Sequence, residues 1–217
     1  MPVLNAMVGA VSQVVLWGLM TLGVYLTFRI LNIADMTVDG IFAAGGAITA
    51  VLIVKGMNPL LTLIFVFLMG LACGAVTGIM NTKLKINILL ASILTQIALY
   101  SINIRIMGKP NTPLLGKTTI MKGLINLTDG RLNTTQSSLI IGVIVIATVI
   151  GLMYWFFGTE YGSAIRATGA NENMVRAMGV NTDTTKIIGL MVSNGLVALS
   201  GALVAQSQGY GDVQMGM

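Results

Sequence analysis

The sequence predicts an all-α integral membrane protein, a polytopic helical bundle with about six apolar segments, the second of them short enough to be re-entrant or broken. Three observations predict it. Hydrophobic residues fill 55% of the 217 positions and charged residues only 9%, against roughly 25% charged in soluble domains. Residues 1–28 carry no charged side chain, and about 20 apolar residues cross a bilayer core. The apolar runs are continuous rather than alternating, so each segment must satisfy its own backbone as a helix and not as a barrel strand.

The segments follow in order at about 3–28, 41–54, 59–80, 88–104, 138–157 and 187–206. The first lacks a basic amino-terminal region and exceeds the apolar length of a signal peptide, so it reads as a span. The second follows Asp35 and Asp39 and contains the small-residue run Ala43-Ala44-Gly45-Gly46-Ala47. Acids there either cap the start of a helix or, being costly at membrane depth, handle a solute or ion together with Asn32. In the third segment Gly70, Gly74 and Gly78 share one helical face, and Gly201 and Ala205 repeat that spacing in the last. These are helix-packing surfaces, within one subunit or between two. The fourth segment places Ser92, Gln96, Tyr100 and Asn103 on one face, an arrangement that suits a polar pathway as well as it suits bonding between helices.

Two long connectors separate the later segments. Residues 105–137 hold Pro110, Pro113, several glycines and basic residues, and are expected to form an irregular loop outside the cell membrane. Residues 158–186 carry helix punctuation instead. A helix over 161–168 is expected to end at Gly169, Asn171 to cap a second that ends at Gly179, and Thr182 or Asp183 to cap the next span. Orientation stays open on charge. Arg29, Lys83, Lys85, Arg166, Arg176 and Lys186 fall on one side, and Lys55, Arg105, Lys109, Lys117, Lys122 and Arg131 on the other.

Several function classes are disfavoured. With one cysteine, Cys73, and no histidine, the chain offers no zinc site and no cysteine–histidine or serine–histidine pair. The +5 net charge is modest and fits loop residues of a membrane protein better than nucleic-acid binding. Gly116-Lys117-Thr118 resembles the tail of a phosphate-binding loop, but position 111 is Asn where the pattern needs Gly, and no strand precedes it.

The stretch Gly162-Ser163-Ala164-Ile165-Arg166-Ala167-Thr168-Gly169-Ala170-Asn171, followed by Ala177 and Gly179, resembles the cytoplasmic coupling segment of bacterial ABC-importer permeases of the branched-chain amino acid and ribose group. Asn32-Ile33-Ala34-Asp35-Met36-Thr37-Val38-Asp39-Gly40 resembles a branch of that family found beside aromatic or uncharacterised substrate-binding proteins. The resemblance implies a multi-pass permease of the bacterial plasma (inner) membrane, a single domain over 1–217 moving a small amino-acid-like solute by alternating access. It implies no cofactor in this chain, with ATP and magnesium on partner ATPase subunits. A second permease subunit and an extracytoplasmic binding protein are the other implied partners, with lipid around the whole. The same resemblance puts ATPase coupling on Gly162, Ala164, Arg166, Ala167, Gly169, Asn171, Ala177 and Gly179. Family members continue for several further spans, so the chain is expected to be shortened at its carboxyl end. The alternative on the residues alone is an ion-coupled transporter or channel using Asp35 or Asp39.

Overall fold

The structure is a computed structural model describing residues 2–128 and 133–216; Arg131 lies outside the described residues. Six of its helices are long and apolar enough to cross a membrane. α1 (Pro2–Tyr25) runs on through a π-helical turn at Leu26–Ile30. α2 (Thr37–Val54), α3 (Pro59–Thr82) and α4 (Ile88–Met107) follow, joined by connectors too short to do anything but reverse the chain. After a short strand β1 (Asn111–Pro113) come α5 (Ile120–Leu127) and the span α6 (Thr134–Phe157). Two short helices, α7 (Glu160–Ala170) and α8 (Glu172–Ala177), lead to the last span, α9 (Thr182–Gln208), and to β2 (Tyr210–Asp212).

α9 is the axis of the bundle. It packs against α1, α2 and α3, while α4 covers the far side of α2, and α6 covers α1. The share of buried residues tells the same story: 72% for α2 and for α9, against 17–28% in the other spans. Close approach is built from small side chains. A Cβ on Gly70 would come 2.6 Å from the Asn194 carbonyl, and one on Gly74 2.5 Å from that of Leu190. Gly78 faces Ile187, Gly201 lies under the Phe42 carbonyl, and Ala205 sits beside Gly46. With methyl-sized clearance the α3–α9 and α2–α9 axes come together closely enough for dispersion contacts along their length. Two hydroxyls add fixed bonds from α9 to α1: Ser193 donates to the Gly23 carbonyl at 2.7 Å and Ser200 to that of Leu16 at 2.8 Å.

The second segment is a single unbroken helix that starts at Thr37 rather than at 41. What turns back into the bundle is the chain that precedes it. At the end of α1 the wide turn closes with Leu31 N–H donating to the Leu26 carbonyl and Ile33 N–H to that of Thr27. Asn32 then takes a left-handed conformation, φ 55°, which asparagine tolerates better than most residues. Leu31 packs on Gly189 in the second turn of α9, yet Thr37 already meets Asn194, near the middle of that helix. The α1–α2 link therefore climbs inside the bundle, and α2 begins roughly 18 Å along α9, twelve residues at 1.5 Å each.

The 105–137 connector is more ordered than the expected irregular loop. β1 pairs antiparallel with β2, Thr112 opposite Gly211. Thr119 caps α5 by accepting from Lys122 N–H, and buried Met121 turns its short helix toward the core. Gln206 of α9 accepts from the Ile120 amide at 3.0 Å, so the connector is pinned to the end of α9 that lies away from α7 and α8.

Candidate functional site

The α6–α9 connector is a compact helical hairpin held to the span ends. Thr159 caps α7 by accepting from Gly162 N–H, and Gly162 itself lies against the backbone of Phe156 and Phe157. Arg166 folds back, Nη2 donating to the Phe157 carbonyl at 2.8 Å with the guanidinium 5.9 Å from the Phe157 ring centre. Gly169 does not end the helix as expected; α7 continues to Ala170. Its missing side chain has another purpose, because a Cβ there would run into the carbonyl of Ile30 at the turn after α1. Thr168 and Thr185 join α7 to α9 through their hydroxyls at 3.0 Å.

Asn171 caps α8 by accepting from Met174 N–H, and Gly179 makes the exit turn at φ +86°, a conformation costly for residues with a Cβ. The cap of α9 is Asn181, one residue before the expected Thr182 and two before Asp183, accepting from the amides of both Asp183 and Thr184. A polar cluster then locks α8 to the start of α9. Glu172 accepts from Lys186 Nζ at 2.7 Å and from Arg176 at 3.3 Å, and Arg176 also donates to Thr182 at 2.9 Å. The Lys186 hydrogen bond is the main reason the Glu172 carboxyl is held below its ordinary pKa, with burial opposing and the Lys186 and Arg176 charges assisting.

The outer side of this hairpin is bare. Met174, Met178 and Val180 are exposed, Met178 at 74%, and Ala177 beside them is exposed too. Ala164 and Ala167 are half-buried. Alongside runs a polar cleft of about 680 Å³ between the end of α3 and the connector after it, with Asn81 and Lys85, and α8 with the start of α9, with Arg176 and Asp183. The result is a capped, ion-paired two-helix unit with an exposed apolar outer face, tied to α9 on its inner side.

The pathway candidates are not gathered in one place. Asp35 is buried, and its carboxylate accepts from Thr37 N–H at 2.9 Å, Thr37 Oγ1 at 2.6 Å and Asn194 Nδ2 at 3.0 Å. Asn32 is exposed at the reversal and Asp39 half-buried in the first turn of α2. The α4 stripe faces the other side of α2. Gln96 lies against Gly40, Asn103 Nδ2 reaches the Gly40 carbonyl at 3.4 Å, and Tyr100 packs near Ala47, Met107 and Val213. Ser92 is spent on the Leu89 carbonyl of its own helix. Sequence reasoning missed Asn194 and Ser193; the signal was there, as an adjacent polar pair at the centre of an apolar run. Among the described residues no cluster of three or more His, Cys, Asp or Glu could hold a metal ion.

Residues 6–217 match the family described as branched-chain amino acid transport system, permease component. The chain belongs to this permease family. It is 36% identical over 214 residues to the tyrosine transport system permease protein of Clostridioides difficile, covering 99% of this permease and 69% of that protein. An uncharacterized protein of Rickettsia prowazekii is 33% identical over 213 residues, with coverage of 98% and 72%. An inner membrane ABC transporter permease protein of Escherichia coli is 28% identical over 185 residues, with coverage of 83% and 54%. No solved structure matches. The permease is thus an ABC-type, multi-pass membrane component, and ATP hydrolysis belongs to another subunit.

Proposed function

We propose that this permease moves an amino acid, aromatic or branched-chain, or a closely related small solute, by alternating access driven by ATP hydrolysis on partner ATPases docked at the α7–α8 hairpin. The observation that carries the reading is that hairpin: its apolar outer face is exposed while its inner face is tied to α9 through Thr168–Thr185 and Glu172–Lys186. Gly162, Ala164, Arg166, Ala167, Gly169, Asn171, Ala177 and Gly179 build or pack the unit, and Met174, Met178 and Ala177 offer the contact surface. A push on α8 travels along α9 to Asn194 and reaches the start of α2 through Asp35 and Thr37. The hairpin side is then cytoplasmic, and the α5 side receives the solute from a binding protein; a second permease completes the pathway. The aromatic preference leans on the relative named for tyrosine transport.

The test is uptake of labelled tyrosine, phenylalanine and leucine into vesicles holding the permease with the ATPase and binding protein that co-purify with it. ATP-dependent uptake of one of them supports the reading. Uptake driven by an ion gradient without ATP, and lost in Asp35→Asn, would replace it with the ion-coupled alternative.

A further inference from the structure

At the hairpin end of α6 two clefts meet. One is an apolar furrow of about 440 Å³ along α9, walled by Ile64 and Phe67 of α3 and by Leu152 and Met153 of α6, with Val192 and Leu196 as its floor. The other, about 460 Å³, lies at the turn into α7 and includes Tyr154, Gly158, Thr159 and Arg166. Trp155 lines both. The furrow and a cleft that carries a cation therefore lie on either side of one indole ring.

The chemistry changes along that line as it does across a leaflet. The furrow is almost wholly aliphatic and aromatic. Trp155 and Tyr154 are 71% and 85% exposed in the last turn of a span, the level at which amphipathic rings settle in a membrane interface. Beyond them Arg166 uses one donor on the Phe157 carbonyl, and among the described residues it makes no ion pair. A guanidinium has five N–H donors, so a positive charge with donors to spare stands at headgroup height. A phosphodiester matches it in charge and in fork geometry.

We propose that this composite cleft binds one anionic glycerophospholipid, its phosphodiester on Arg166, its glycerol region beside Trp155 and one acyl chain in the furrow between α3 and α6. Lipid there fills the furrow on α9 between α3 and α6, and it seats beside Phe157, where α6 gives way to α7. The site places an anionic lipid at the joint through which the hairpin moves.

The permease has two tryptophans, and the other, Trp17, is half-buried and packs tilted against core Phe42, ring centres 4.9 Å apart. Trp17→Phe in the full chain leaves Trp155 as sole reporter. In phosphatidylcholine vesicles, a minor fraction of brominated phosphatidylglycerol is expected to quench Trp155 more than the same fraction of brominated phosphatidylcholine. The preference should be about five-fold, the factor one basic side chain is worth at an anionic surface. Arg166→Gln should bring the two lipids to parity and Arg166→Lys should keep most of the preference. Equal quenching before mutation, or a preference that survives Arg166→Gln, overturns the proposal. So does absence of quenching by either lipid, which would mean that protein covers the furrow. Native mass spectrometry of the unmutated chain gives an independent reading: retention of one phosphatidylglycerol over phosphatidylcholine is expected, and equal loss of both contradicts it.

Discussion

Asn194, near the middle of α9, donates its side-chain amide to the buried carboxylate of Asp35 at 3.0 Å, joining the axial span to the chain that leads into α2. Thr37 closes the group by donating to the same carboxylate and by reaching Asn194 Oδ1 at 3.2 Å. The carboxylate thus has three donors and needs no ion to be satisfied.

Asn194→Leu takes away one donor and leaves a buried carboxylate short of a partner, a loss of about 2–3 kcal/mol. Asp35→Asn is milder, below about 1 kcal/mol, because either amide can turn to present the complementary atom. Thermal unfolding midpoints in one fixed detergent check the order. A Leu variant as stable as Asp35→Asn would show that the bond carries no stability.

Gly74→Ala forces a methyl to 2.5 Å from the Leu190 carbonyl, backbone that cannot rotate away, and is expected to destabilise by about 1–3 kcal/mol. Gly151→Ala meets nothing within 4 Å and gains helix propensity of up to about 1 kcal/mol. The same unfolding assay should move the two in opposite directions.

Glu172 gives a pH signature. Its folded pKa lies below the unfolded value because Lys186 donates to it, so its contribution is complete above the ordinary carboxylate pKa, about 4.3. It is lost as pH falls through the lowered folded pKa. The difference in unfolding midpoint between wild type and Glu172→Gln should be present at neutral pH, small for so exposed a pair, and vanish in acid below that value.

The bundle was largely legible because lipid leaves the backbone one solution, and runs such as 138–157 are too apolar to be anything else. Which helix sits inside was not. α6 is as apolar as α2, so hydropathy cannot tell contact with lipid from contact with protein; the small-residue spacing at Gly70, Gly74 and Gly78, and at Gly201 and Ala205, was the hint of where α9 packs. The hairpin was legible in its caps, since Asn171 and Gly179 act locally. Gly169 misled because a glycine required by close approach to Ile30 looks, in sequence, like one required for a helix stop. The climb of residues 31–36 into the bundle was hidden, depending as it does on Asn194, far along the chain.

The docking role of the α7–α8 hairpin is tested most directly by affinity purification of the full-length permease from its native membrane, wild type beside Met178→Glu, with ATPase activity measured in each eluate. Met178 is exposed and outside the polar cluster, so the added charge should leave the bundle folded while spoiling an apolar contact. An ATP-hydrolysing subunit is expected with wild type, and its loss, at least ten-fold on desolvating an unpaired charge, with Met178→Glu. Equal ATPase recovery with both, or none with an intact wild-type bundle, would contradict it.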